Sequence, residues 1–219
     1  MRPRLDILPP PQRALWDELG GEIPSGFVLY GGTALALRLG HRNSEDFDFF
    51  SNESFQPADL ERQVPFLQAS TRLQSSPNTL VSLVDRKGPV KLSFFGGLGL
   101  RRVGDPDAAE GGGVLVASFL DLAATKVKVV QDRAELKDYL DVSRILEEGL
   151  DLGQALGAAL AVYGDVFNPL LSLKALCYFG DGDLRRMDEA VKLRLSRAVT
   201  SVDPDRLPRV EPHSGGLVP

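Results

Sequence analysis

The sequence predicts an α+β chain: a mixed sheet flanked by helices, followed by a C-terminal helical subdomain. Three observations carry that reading. Short apolar or alternating runs recur between Phe27 and Phe95, as strands do. From Ser118 onward the apolar spacing is helical instead. Between the first two strand-like runs stand a glycine pair and a short helical stretch, an order that builds a turn against a sheet. The expected divisions are a core over 1–117, a helical part over 118–212 that completes the active site, and a linker and protease-site remnant over 213–219 (HSGGLVP).

Taken in order, a proline-rich start leads to a helix from Pro10 or Pro11 to Leu19, with Leu15, Trp16 and Leu19 buried and Gly20-Gly21 ending it. Phe27 to Tyr30 is a strand, Thr33 to Leu39 a helix, and a second strand carries Asp46 and Asp48. Pro57 to Val64 is a helix. Three strands follow, Thr71 to Gln74, Thr79 to Val84 and Val90 to Phe95, as a meander that extends the sheet. Asp105 to Gly113 (DPDAAEGGG) reads as a flexible connection. A helix runs from Ser118, which forms a capping pair with Asp121, to Arg133, and a second from Lys137 to Glu148. Helices over Asp151 to Tyr163, from Asn168-Pro169, and over Asp188 to Val199 complete the chain.

Composition narrows the function. A chain of 219 residues buries a sizeable core in one or two domains. A single cysteine, Cys177, excludes an intramolecular disulfide framework, and with two histidines leaves no structural zinc site. Cys177 reads as a small buried hydrophobe. No twenty-residue apolar run and no signal-peptide pattern are present, so the expectation is a cytoplasmic protein without a membrane span. A net charge of -5 argues against a general nucleic-acid coat but leaves room for a local basic groove. The candidate for that groove is the last helix, with Lys192, Arg194 and Arg197 preceded by Arg185 and Arg186.

Chemistry concentrates in Phe27 to Phe50, FVLYGGTALALRLGHRNSEDFDFF. Gly31 and Gly32 let a backbone approach a bulky anion and open a helix whose first amides point at it, which makes the turn a phosphate seat. Thr33 adds a hydroxyl. Asp46 and Asp48, two apart on a strand, share a face while Phe47 and Phe49 turn to the core. Two hard carboxylates beside a phosphate seat suit Mg²⁺. A glycine pair alone marks only a turn and D-x-D alone only a solvated edge; their ordered combination is far more specific. Arg42 has the fork geometry for phosphate, and Ser44 either bonds a phosphate oxygen or caps the turn.

This combination resembles the DNA polymerase β-like nucleotidyltransferase superfamily, and within it GGTALAL followed by HRNSEDFDFF resembles the AbiEii/MenT-type nucleotidyltransferase toxins. A second block strengthens the likeness: Lys126 and Arg133 on one helix, then Lys137-Asp138 and Asp141 on the next, match that family's helical motif. The resemblance implies a polymerase β-like fold and transfer of a nucleoside monophosphate from an NTP, with Mg²⁺ or Mn²⁺, to an acceptor hydroxyl. It further implies an RNA acceptor, the tRNA 3′ end, and a cognate antitoxin. Lys126 would offset phosphate charge. Asp138 would activate the acceptor or help hold the metal, Arg133 would contact nucleotide, and Asp141 would orient Arg133 or Lys137. One departure stands out: the strand expected beside D-x-D reads VKLSFF, with Ser93 where the superfamily commonly has a third acid, and Asp85 sits in a turn. The alternatives are a small-molecule, antibiotic-type nucleotidyltransferase and a catalytically weak nucleotide- or RNA-binding module.

Overall fold

The structure, a computed structural model, describes residues 1–111 and 113–218. Gly112 of the expected flexible connection and Pro219 of the expected tag-like tail lie outside the described residues. The chain forms two compact units. The first comprises Met1–Leu100, the described residues of Asp105–Ser118 and those from Ser214 onward; the second comprises Arg101–Gly104 and Phe119–His213.

In the first unit, α1 (Pro10–Glu22) precedes β1 (Val28–Tyr30), α2 (Gly31–Leu39) and β2 (Asp46–Phe50). Next come α3 (Pro57–Gln63), α4 (Pro65–Gln68), β3 (Thr71–Ser76), β4 (Thr79–Asp85) and β5 (Pro89–Phe95), then β6 (Asp107–Ala108) and β7 (Leu115–Val116). Seven strands make one mixed sheet in the order β3-β4-β5-β2-β1-β7-β6. β1 and β2 are antiparallel, whereas β2 and β5 are parallel with Asp46 opposite Lys91 and Asp48 opposite Ser93. The alternation of β2 drives its Phe47 and Phe49 to 0% exposure, against the ring of Trp16 at 6.1 Å and of Phe94 at 5.2 Å. The Trp16–Phe47 contact joins α1 to the sheet, and burial of such large rings is strongly favourable.

Two expectations change here. Gly20-Gly21 does not end α1; the helix runs through both to Glu22, two residues before Pro24, because the buried Leu15, Trp16 and Leu19 fix it from one side. The stretch expected to be a flexible connection carries one short strand, β6, which is antiparallel to β7 just after it, and β7 is parallel to β1. The tail is docked: Leu217 is 1% exposed and its amide donates to the Asn52 side-chain oxygen.

The second unit holds α5 (Phe119–Asp132), α6 (Leu136–Glu147), α7 (Leu152–Tyr163), α8 (Pro169–Ala175) and α9 (Glu189–Thr200). α5 packs against α6, α7 and α8, and α6 against α9. Sequence-coded caps set the starts: Asp151 and Gln154 form a capping box on α7, and Asn168 and Asp188 accept amides at the starts of α8 and α9. Asp121, 1% exposed, receives the amides of Val103 at 2.8 Å and Gly104 at 3.1 Å, so its carboxylate pins that strand of chain onto α5. Cys177 is exposed, not buried as expected, because α8 ends two residues before it and its segment lies on the surface. Among the described residues no helix is long and apolar enough to cross a membrane.

Candidate active site

The first unit gathers Gly31, Gly32, Thr33, Arg42, Ser44, Asp46 and Asp48 where β1 turns into α2. β1 ends at Tyr30, directly opposite Asp48, so the turn that follows starts beside that carboxylate. Gly31 has φ +74°, a left-handed conformation that favours glycine. A Cβ on it would lie 2.6 Å from Oδ2 of Asp48. A Cβ on Gly32 would lie 2.5 Å from Nη2 of Arg42 and 3.2 Å from the Ser44 hydroxyl. Both glycines are closely approached, one by an anion and the next by a cation, and Gly31 is held to glycine by its positive φ as well. α2 starts there with no side-chain capping hydrogen bond from its N-cap residue, Tyr30, and the first amides of a helix have no partner within the helix.

The polar turn before β2 is tied down from beneath. The buried Thr33 hydroxyl meets the Ser44 hydroxyl at 2.8 Å and also reaches the backbone carbonyl of Asp46. A hydroxyl has one proton, so Thr33 donates to the carbonyl and Ser44 donates to Thr33. Gln12 of α1 donates to the carbonyl of Glu45 at 2.6 Å. These bonds fix the backbone at the start of β2, leaving the Asp46 side chain, 41% exposed, on the open face.

Sequence reasoning did not single out Lys91. Its ammonium lies 3.0 Å from Oδ2 of Asp46, across the parallel β2–β5 pair. The signal was there: once β5 is placed beside β2, the alternation of VKLSFF puts Lys91 and Ser93 on the face of Asp46 and Asp48. Asp46 and Lys91 also line a recess of about 380 Å³ together with Gln12, Glu45 and Leu83. Asp85, expected in a turn, is the last residue of β4, and its carboxylate accepts the Gly88 amide of the turn at 3.0 Å.

Among the described residues no group of three or more His, Cys, Asp or Glu converges as a metal site. The two carboxylates still fit a magnesium-type ion, since Mg²⁺ is held by one or two protein carboxylates when substrate phosphates supply further oxygens.

The second unit brings Lys126, Arg133 and Asp138 together with Asp141. Lys126, its side chain 5% exposed, lies 2.8 Å from Asp138 and 2.6 Å from Asp141, both 0% exposed. Arg133 donates to Asp138 at 2.7 Å. Burial alone would raise the Asp138 carboxyl, but the Arg133 hydrogen bond and the Lys126 charge outweigh it and hold it below the usual carboxylate range. Asp141, expected to orient Arg133 or Lys137, pairs with Lys126, while Lys137 engages Glu135 at 2.8 Å. The reason is helical phase: Asp138 and Asp141 share the buried face of α6, which Lys137 does not. On α9 the basic face is partly taken up, with Arg194 on Glu147 at 2.7 Å and Lys192 on Glu189 at 2.7 Å.

Comparison with known proteins identifies the family. Residues 21–211 match the family model of the nucleotidyl transferase AbiEii toxin of type IV toxin–antitoxin systems. An uncharacterized protein of Aquifex aeolicus (strain VF5) is 32% identical over 162 residues, covering 73% of this chain and 76% of its own. A crystal structure from H. pylori, described as a candidate nucleotidyltransferase, matches with a TM-score of 0.54 at 20% identity, covering 86% of this chain and 90% of that one, which shows a shared fold. The chain therefore belongs to the AbiEii family of toxins, and it is a nucleotidyltransferase.

Proposed function

We propose that this chain transfers a nucleoside monophosphate from an NTP to a hydroxyl at the 3′ end of tRNA, and that a cognate antitoxin opposes it. The observation that carries the transfer chemistry is the pairing of Gly31 with Asp48 and of Gly32 with Arg42, which puts a carboxylate and a guanidinium at one bare backbone turn. The NTP phosphates rest on the amides that open α2, with Arg42 as a bidentate partner. Asp46 and Asp48 hold Mg²⁺, or Mn²⁺ in its place. When bound, the ion supplies charge neutralisation on the phosphates. Thr33 and Ser44 keep the strand start rigid, which matters because catalysis of this kind is mainly positioning and electrostatics. Lys126, Arg133 and Asp138 join the proposal as residues required for transfer, on the strength of the helical motif. The acceptor hydroxyl attacks the α-phosphorus in line and pyrophosphate leaves. The tRNA acceptor rests on the resemblance to MenT-type toxins, and the antitoxin on the type IV family.

The test incubates the protein with each α-phosphate-labelled NTP and total RNA, with and without magnesium, beside the Asp46→Asn/Asp48→Asn variant. Label on tRNA that needs magnesium and both aspartates supports the reading. Transfer that persists in the variant, label on small molecules only, or nucleotide binding without pyrophosphate release overturns it.

A further inference from the structure

Two-metal phosphoryl-transfer sites hold their ions close together, and each ion needs its own share of anionic ligands. In this chain the strand beside Asp46 and Asp48 offers none. β5 runs parallel to β2 in unbroken register, and the residues it places opposite the two aspartates are Lys91 and Ser93. Both lie on the aspartate face of the sheet by the alternation of the strand. The nearest acid on the same hairpin, Asp85, is at the far end of β4 and bonded to the Gly88 amide. Ser93 stands opposite Asp48 in place of a third acid, and the ammonium of Lys91, two residues before it on the same face, lies 3.0 Å from Oδ2 of Asp46.

The charges make the consequence concrete. Two aspartates and one lysine sum to -1. One divalent ion brings the set to +1, suited to meeting triphosphate oxygens. A second would bring it to +3, and Glu45 and Arg42, which lie beside the set, offset each other and leave that sum unchanged. Both partners of the Lys91–Asp46 pair are 41% exposed. The pair is therefore weak and adjustable, so the ammonium can rotate aside on its flexible stem without leaving the site.

Building on the assignment of Asp46 and Asp48 as the metal seat, we propose that Lys91 is a tethered cation that takes the place of a second metal ion. It limits the seat to one divalent ion and weakens the hold on that ion.

The test is a titration with Mn²⁺ alone, followed by electron paramagnetic resonance of the free ion, with folding checked by circular dichroism. The wild type takes one equivalent, and Asp46→Asn/Asp48→Asn takes none. Lys91→Met still takes one equivalent but about tenfold more tightly, because a unit charge a few ångströms away has been removed. Lys91→Arg, which keeps the cation, matches the wild type, and Lys91→Glu gains a second equivalent. Two equivalents in the wild type, or equal affinity in Lys91→Met and wild type, overturn the role of Lys91 while leaving the seat intact. Wild-type binding that survives the double asparagine variant, or no binding at all, overturns the seat itself and this inference with it.

Discussion

The carboxylate of Asp48 occupies the space into which a Gly31 side chain would grow, 2.6 Å from where its Cβ would stand. With φ at +74°, the glycine is required both by backbone conformation and by its neighbour. Gly31→Ala is expected to lose nucleotide binding, measured by equilibrium titration, and about 1–2 kcal/mol of stability from the left-handed backbone. Gly21, inside α1 with open space around it, is the control: Gly21→Ala should stabilise by about 0.5–1 kcal/mol and leave binding unchanged.

Thr33→Val keeps the shape of the residue and removes its hydroxyl. The Asp46 carbonyl then loses its donor and the Ser44 hydroxyl its acceptor. Such buried losses cost about 1–3 kcal/mol, read as a lowered denaturant midpoint. Transfer activity should fall further than Ser44→Ala lowers it, since of the two hydroxyls it is that of Thr33 that bonds the Asp46 carbonyl.

Asp138 makes part of the stability depend on pH, and the sign follows from its depressed pKa. The unfolded chain binds this proton at a higher pH than the folded chain. The contribution is therefore complete above the ordinary aspartate value of about 4 and is lost as pH falls through the lower folded value. Thermal melts between pH 7 and pH 2 should show this loss. Asp138→Asn should remove that portion of the acid dependence, and at neutral pH should cost about 3–5 kcal/mol because a buried ion pair is broken.

In the second unit, a Cβ on Gly157 of α7 would collide with the backbone carbonyl of Pro208. Backbone cannot rotate away as a side chain can, so Gly157→Ala should lift the Leu207–Pro212 stretch. Faster tryptic cleavage after Arg206 and Arg209, with a stability loss of about 1–3 kcal/mol, is the expected outcome.

The local half of this molecule was legible in its sequence. The glycine turn, the helix after it and the face shared by Asp46 and Asp48 all follow from residues close in the chain, where periodicity and turn chemistry decide. What escaped depends on distant partners. β6 and β7 are two residues each, and only pairing with each other and with β1 makes them strands. Lys91 meets Asp46 through a register that no local pattern encodes. Lys126 was visible as one half of a motif, yet its grip on Asp141 appears only when α5 and α6 are packed. Cys177 was misjudged because its burial depended on where α8 stops.

The junction of α5 and α6 has a consequence for how this protein can vary. Lys126 sits sealed between two aspartates, and Arg133 at the rim closes the set, so positive and negative members are equal in number. Losing any one of them strands an opposite charge where water does not reach. An apolar replacement is therefore reachable only by exchanging a cation and an anion together, and single steps along the way are penalised. This corner of the helical unit should drift through paired exchanges while the surface around it changes one residue at a time.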